Sequence, residues 1–123
     1  MFNKTKSIEY DFKKKHTLEQ RTTESNKIKL KYPERVPIIV EQAKSSHTNN
    51  IDKNKFLAPI DLTIGQFLTI VRKRIKLNES ETIFLFVNNT LPCYSHSLGS
   101  LYNTHKDADG FLYIQYTEES TFG

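Results

Sequence analysis

The sequence predicts one small α+β domain in which a mixed sheet packs on one face against an amphipathic helix. Its 123 residues suit a single hydrophobic core. Two capping-box patterns, at Thr17 and Thr63, mark the starts of two helices. The predicted elements follow one another as helix, helix, strand, strand, helix, strand, helix, strand, and this order fits strands gathered into one mixed sheet.

Two helices are predicted before the first strand. In Thr17-Leu18-Glu19-Gln20 the Thr and Gln side chains cap each other's backbone N–H groups, so a helix begins at Thr17 and runs to about Lys31. A shorter helix is predicted over residues 8–15. We expect residues 1–7 to form a flexible extension and residues 8–123 to form the domain.

Four strands are predicted, and they differ in how they can be buried. Residues 36–40 are predicted to form a strand, in which Pro37 occupies a position that contributes no N–H to the ladder. Residues 56–59 form a short strand that ends at a proline, as is typical of a sheet edge. Residues 82–87 are apolar on both faces, and residues 111–116 form the last strand.

The helix over residues 63–75 is the clearest element, because its apolar residues form one stripe and its last turn is basic, as the helix dipole favours. A second, shorter helix follows strand 82–87. If that strand turns Leu85 toward the 63–75 helix, Phe84 and Phe86 point to the opposite face. There they form either an exposed docking patch or part of a core beneath the N-terminal helices.

Charge is unevenly distributed along the chain. Residues 1–35 hold ten Lys/Arg and five Asp/Glu, whereas residues 77–123 hold one Lys and six Asp/Glu. The basic head could contact anionic lipid, microtubules or nucleic acid, although a solvated charged face is the commoner outcome. Only Tyr10 and Phe12 accompany the lysine-rich run, which is too few stacking aromatics to predict a nucleic-acid partner.

The motifs of common enzymes are missing from the sequence. It has no phosphate-binding glycine-rich loop, no His-Glu-x-x-His and no nucleophile elbow. Residues 107–110 resemble the start of a calcium loop but lack its later ligands, so a plain turn is expected. One cysteine, Cys93, fits a reducing compartment. We therefore expect a cytosolic protein without enzyme activity, metal or cofactor.

The chain ends in a polar run that closes on Gly123. A glycine has no Cβ, so its carboxylate can enter a narrow enzyme channel and be activated there, as happens in ubiquitin-like modifiers. A polar terminus can also end in glycine without any such role.

Several segments closely resemble the autophagy ubiquitin-like modifiers, the GABARAP-like family, and the resemblance runs from about Ile8 to Gly123. The matching segments are Lys31-Tyr32-Pro33-Glu34-Arg35-Val36-Pro37, Ile51-Asp52-Lys53-Asn54-Lys55-Phe56-Leu57, Asp61-Leu62-Thr63-Ile64-Gly65-Gln66-Phe67, Ile83-Phe84-Leu85-Phe86-Val87-Asn88, Asp109-Gly110-Phe111-Leu112-Tyr113 and Thr121-Phe122-Gly123.

This resemblance implies a ubiquitin-like β-grasp with two additional N-terminal helices. It also implies that Gly123 is adenylated, passed through E1-like and E2-like cysteine enzymes, and joined to phosphatidylethanolamine, from which a cysteine protease later releases it. Phe84 and Phe86 match positions that contact the processing and activating enzymes. The protein would then be cytoplasmic and, when lipidated, bound to the autophagosome membrane.

The resemblance further implies a groove for aromatic-x-x-aliphatic motifs of cargo receptors, with strand 56–59 accepting the peptide as an added strand. Arg35, Lys53 and Lys55 would pair with acidic residues before the aromatic. The aromatic pocket would be lined by Glu24, Ile28, Arg35, Pro37, Lys53, Lys55, Leu57 and Phe111. The aliphatic pocket would be lined by Phe56, Ala58, Pro59, Leu62, Phe67 and Ile70.

Three departures from the family pattern bear on these roles. Ala58 replaces a larger aliphatic residue, and Asn54 replaces a common basic residue. Glu118 stands where the tail usually has glycine, so it adds charge and removes backbone freedom. A β-grasp peptide-binding adaptor that is never lipidated and a basic-headed microtubule binder remain the alternative interpretations.

Overall fold

The computed structural model describes residues 9–118, and these form a four-stranded mixed sheet with four helices. The predicted α+β class is confirmed. The helices are α1 (Asp11–Lys15), α2 (Leu18–Lys31), α3 (Ile64–Arg74) and α4 (Leu98–His105). The strands are β1 (Arg35–Gln42), β2 (Lys55–Pro59), β3 (Phe84–Phe86) and β4 (Leu112–Thr117).

The sheet has the strand order β2-β1-β4-β3, so the first and last strands of the chain lie side by side at its centre. β1 and β4 run parallel, whereas β2 and β3 are antiparallel to their neighbours. The carboxyl ends of β1 and β4 therefore lie at the same edge of the sheet. There Gln42 pairs with Tyr116, just before each chain segment leaves the sheet.

Both capping boxes form as predicted. The Thr17 hydroxyl accepts from the Gln20 N–H, and the Gln20 side chain accepts from the Thr17 N–H; Thr63 and Gln66 make the same pair of bonds. The short α1 begins at Asp11, where Glu41 accepts hydrogen bonds from the Asp11 and Phe12 N–H groups at 2.8 and 2.9 Å.

Apolar side chains collect on both faces of the sheet, but unequally. The larger cluster lies under α3 and α4 and includes Phe67, Leu85 and Leu98, all fully buried. The smaller one is mainly aromatic and consists of Tyr10, Phe12, Ile39, Phe111 and Tyr113, with Ile28 of α2 packed against it. Among residues 9–118, no helix is both long and apolar enough to cross a bilayer.

Two strands differ in length from the prediction by more than one residue. β1 continues two residues beyond Val40, because Glu41 and Gln42 pair with β4 although their side chains are polar. β3 is limited to Phe84–Phe86 rather than residues 82–87. It ends there because Asn88 and Asn89 adopt positive φ angles of 51° and 65°, which reverse the chain in a tight turn.

Candidate functional site

β2 lies at the edge of the sheet, and among the described residues it pairs only with β1. In an antiparallel pair of strands, residue pairs that exchange hydrogen bonds alternate with pairs that do not. The Ile60 N–H donates to the Glu34 carbonyl and the Val40 N–H donates to the Asn54 carbonyl, so every second residue pair between these two bonds is hydrogen-bonded. Phe56 and Ala58 therefore direct their backbone groups toward β1. Lys55 and Leu57 direct their N–H and C=O groups to the open edge, where an added strand can pair with them. The Leu57 carbonyl accepts from the Arg35 guanidinium at 3.1 Å, so an added strand would replace that bond.

The side chains predicted to line the aromatic pocket come together between α2 and β2. Lys55 forms an ion pair with Glu24, and its Nζ lies 5.5 Å from the centroid of the Phe12 ring. Phe12 in turn packs edge-on against Phe111, with ring centroids 5.3 Å apart. Ile28 packs on the same cluster. Phe12 was not predicted for this pocket, because its only signal in the sequence is an aromatic residue in a short basic helix.

Other predicted members of this pocket lie differently. Pro37 is buried in β1 directly opposite Leu57, a position at which the ladder needs no N–H from it. Arg35 is exposed and its guanidinium donates to the Leu57 carbonyl at 3.1 Å. Lys53 belongs elsewhere: its Nζ lies 5.3 Å from the centroid of the Phe56 ring, beside the residues predicted for the aliphatic pocket.

The residues predicted for the aliphatic pocket are mostly part of the main core. Phe56 and Phe67 pack edge-on with centroids 5.5 Å apart, and Phe67 has no exposed surface. Ala58 is buried beside them, and Leu62 packs on the same cluster. Of the six residues predicted for this pocket, only Pro59 and Ile70 are exposed. Phe67 is covered in this conformation, and its role in peptide binding stays a prediction.

Phe84 and Phe86 differ in exposure. They were predicted to form either a docking patch or part of a second core. Phe84 is partly exposed, whereas Phe86 retains only 4% of its surface. Ile83, Leu85 and Val87 join the main core as the alternation predicts. Of the two rings, Phe84 alone is accessible in this conformation, and contact of Phe84 and Phe86 with processing and activating enzymes stays a prediction.

The N-terminal helices are attached through a buried carboxylate. Asp109 accepts hydrogen bonds from Arg21 at 2.6 Å, from the Phe111 N–H at 2.8 Å and from the Tyr113 hydroxyl. Burial and this contact with Asp109 raise the pKa of Tyr113. Ser25 donates to the Asp109 carbonyl, so two residues of α2 contact one turn. These contacts were not predicted from the sequence, because they join residues more than eighty positions apart.

The lysines of the basic head are partly neutralised. Lys13 pairs with Asp107 at 2.6 Å, and Lys14 pairs with Glu9 at 3.2 Å. Contact with microtubules or anionic surfaces through these lysines stays a prediction. No group of three or more His, Cys, Asp or Glu side chains suited to a metal ion occurs within residues 9–118. The predicted conjugation residue, Gly123, lies outside the described residues.

Comparisons with known proteins agree on one family. The family model "Autophagy protein Atg8 ubiquitin like" matches residues 20–123. Autophagy-related protein 8c of Arabidopsis thaliana is 54% identical over 112 residues, which cover 91% of this chain and 94% of that protein. Autophagy-related protein 8B of Oryza sativa subsp. indica is 53% identical over the same length, with 91% and 94% covered.

Solved structures extend the match to the fold. The crystal structure of Trypanosoma brucei ATG8 superposes with a TM-score of 0.87 at 39% identity, covering 94% of this chain and 99% of that one. Plasmodium falciparum Atg8 in complex with a P. falciparum Atg3 peptide gives a TM-score of 0.85 at 36% identity, covering 93% and 100%. With its ubiquitin-like fold and N-terminal helices, the chain belongs to the Atg8 family of autophagy ubiquitin-like modifiers.

Proposed function

We propose that this chain is conjugated through Gly123 to phosphatidylethanolamine and acts in autophagosome formation. Family membership supports the proposal, and the P. falciparum Atg8 solved with an Atg3 peptide supports an E2-like enzyme as one partner. An E1-like enzyme would adenylate the glycine carboxyl with ATP and release pyrophosphate. Its thiol would then displace AMP to form a thioester, and the thiol of the E2-like enzyme would take over the acyl group. The lipid amine then forms the amide, the E2-like thiol leaves, and a cysteine protease reverses the step by hydrolysis.

Conjugation would change where the protein resides. Each buried CH₂ of an acyl chain adds about 0.8 kcal/mol of membrane affinity, so two acyl chains anchor a protein stably without a spanning helix. The free form would be cytoplasmic, and the conjugated form would lie on the autophagosome membrane.

Substitution of Gly123 by Ala tests this step. A Cβ at the reacting residue would obstruct the enzyme channel and misalign the thioester, so we expect the variant to lose membrane association on flotation gradients while its melting temperature stays unchanged. Mass spectrometry of the wild-type protein should find phosphatidylethanolamine on Gly123. Membrane association of the variant at the wild-type level would favour the adaptor that is never lipidated.

The second part of the proposal is that β2 binds aromatic-x-x-aliphatic peptides of cargo receptors by strand addition. The observation that carries it is the open edge, where Lys55 and Leu57 turn their backbone groups away from β1. The aromatic side chain would enter between α2 and β2, where the Glu24–Lys55 ion pair and Phe12 meet. Acidic residues before it would face Arg35, which is exposed.

A backbone substitution separates strand addition from side-chain contact. In Leu57→Pro the edge loses one N–H without losing a β1 bond, because the Leu57 N–H points away from β1. The matched control, Leu57→Ala, loses the side chain but keeps the N–H. We expect the proline variant to bind such a peptide about tenfold more weakly than the alanine variant in calorimetric titration. Equal affinities of two folded variants would refute strand addition at this edge.

The charged side chains should contribute less. Arg35→Ala removes an exposed guanidinium, so we expect a loss of about threefold with a peptide that has acidic residues before its aromatic, and almost none with a peptide that lacks them. A loss that is equal for both peptides would assign Arg35 a structural role through its bond to the Leu57 carbonyl.

A further inference from the structure

Glu118 follows β4 directly, at the end of the sheet where the carboxyl ends of β1 and β4 lie side by side. Because these strands are parallel, the loop that leaves β1 lies beside the segment that leaves β4. The Ala43 N–H donates to the Tyr116 carbonyl at 2.9 Å and carries the pairing one residue past β1. Residues 43–48 are therefore adjacent to Glu118, although they are about seventy positions away in sequence.

The Glu118 carboxylate is bound by this loop. The Ser46 hydroxyl donates to Oε1 at 2.6 Å, and the His47 N–H donates to Oε2 at 2.9 Å. These bonds, with the Ser46 hydroxyl as the largest cause, lower the pKa of Glu118 to about 2. We call this pair of hydrogen bonds the Glu118 contact.

The loop presents these donors through its own bonds. The Ser46 hydroxyl oxygen accepts from Gln42 Nε2 at 3.0 Å and from the Thr48 N–H at 3.3 Å. Because both of its acceptor sites face donors, its single proton is directed at Glu118. The Ser46 N–H donates to the Ala43 carbonyl at 2.9 Å and closes a turn.

The far side of the same loop is attached to the core. Asn49 Nδ2 donates to the Ile75 carbonyl at the end of α3 at 2.9 Å, and the Tyr116 hydroxyl donates to the Asn49 carbonyl at 2.6 Å. Tyr116 itself is fully buried. The loop is therefore a fixed surface, and Glu118 is bound to a part of the molecule that does not depend on the tail.

We propose that Glu118 is a positioning residue for conjugation, which holds the root of the C-terminal tail on residues 43–48 and sets where the tail leaves the fold. The inference rests on the proposed conjugation of Gly123. Residues 119–123 then remain to reach an enzyme, and five extended residues span at most about 18 Å. A root that is already ordered lowers the entropy lost when the tail is captured, so it lowers the KM of the conjugating reaction.

The contact itself can be tested without any enzyme. The His47 amide should exchange with solvent about tenfold more slowly in the wild type than in Glu118→Ala, because the carboxylate is its acceptor. Glu119→Ala removes the same charge one position later and should leave His47 protected. Equally fast exchange of His47 in the wild type and in Glu118→Ala would overturn the inference at its first step.

The positioning role is tested by thioester formation on the E2-like enzyme at varied modifier concentration. Ser46→Ala removes a donor on the loop and leaves the tail sequence intact, so a raised KM cannot come from a lost enzyme contact of Glu118. We expect Ser46→Ala and Glu118→Ala to raise KM about threefold with kcat nearly unchanged, and Lys44→Ala, on the same loop, to change neither. An unchanged or lowered KM in both variants would overturn the positioning role. If the wild type forms no thioester, the proposed function fails, while His47 exchange still reports on the contact.

Discussion

The two longest helices, α2 and α3, are attached to opposite faces of the sheet by different means. α3 has 11 residues and buries three apolar side chains, Ile64, Phe67 and Val71. α2 has 14 residues, and the one side chain it buries belongs to Ser25. Transfer of apolar surface from water therefore stabilises α3, whereas it contributes little to the attachment of α2.

On the opposite face, polar contacts attach α2 to the rest of the molecule. Arg21 reaches the buried Asp109, Glu24 pairs with Lys55, and Lys29 lies 4.6 Å above the centroid of the Tyr102 ring. Contacts of this kind depend on a few atoms and on ionic conditions, so their loss opens one region without exposing the main core. We therefore expect the N-terminal helices to open at a lower free energy than the sheet and α3.

The largest effect should come from the α3 side. Phe67→Ala removes a fully buried ring that packs on Phe56, and it should lower the free energy of unfolding by about 3–5 kcal/mol in denaturant melts. Phe67→Leu, which keeps most of the volume, should cost much less. A loss below about 1 kcal/mol for the alanine variant would show that α3 is not the more tightly packed helix.

Arg21→Met should break the attachment of α2. It leaves the Asp109 carboxylate buried without its cation, at a cost of about 3 kcal/mol. Hydrogen exchange should speed up in α1 and α2 while the amides of β1 and β4 keep their protection. Lys27→Met, which changes the same charge at an exposed position of α2, is the control. Equal acceleration across the whole sheet would mean that the two regions unfold together.

Lys13→Ala should lower the free energy of unfolding by less, about 1 kcal/mol, because its ion pair with Asp107 is partly exposed. The Lys13 ammonium also lies 4.6 Å above the Tyr113 ring, and this contact is lost with it. Burial alone would raise the pKa of Asp107, but the Lys13 hydrogen bond and the Asp109 N–H outweigh it and lower that pKa. A lowered pKa adds stability above the unfolded value of about 4, and that stability is lost as pH falls through the folded value.

The difference between Lys13→Ala and the wild type should therefore be largest near neutral pH and shrink below about pH 4. Denaturant melts at pH 7 and pH 3 measure it. A difference that is constant over this range would assign the effect to packing of the lysine stem on Tyr113 rather than to its charge.

Local patterns in the sequence were enough to predict the order of the elements, because capping and periodicity involve neighbouring residues. Both capping boxes and the α3 stripe are examples. The extension of β1 was missed, since Glu41 and Gln42 are polar and their use at the sheet edge depends on α1 and on residues 43–48. Arg21 and Asp109 could not be paired, because nothing local indicates a partner 88 positions away.

For the predicted site, the sequence likewise indicated which residues take part but not which of them are exposed. Resemblance to the family supplied the residues of the groove, but exposure is a property of the packed molecule. It separates Arg35, which is accessible, from Phe67 and Phe86, which are covered. Glu118 was recognised as a departure from the family pattern, but its acceptor role required the parallel pairing of β1 and β4 that brings Ser46 and His47 beside it.

The smallest effect should come from Lys44→Ala, which sharpens the comparison within the polar side of the molecule. Lys44 pairs with Asp11 of α1 at 3.1 Å, as Lys13 pairs with Asp107, but both Lys44 and Asp11 are more than half exposed. The hydrogen bond from Lys44 lowers the pKa of Asp11, yet water and salt screen the pair, so we expect a loss below about 0.5 kcal/mol that vanishes in 1 M salt. Denaturant melts of Lys44→Ala and Lys13→Ala at low and high salt provide the comparison. A cost for Lys44→Ala equal to that of Lys13→Ala would mean that charge alone, and not burial of the pair, attaches the N-terminal helices.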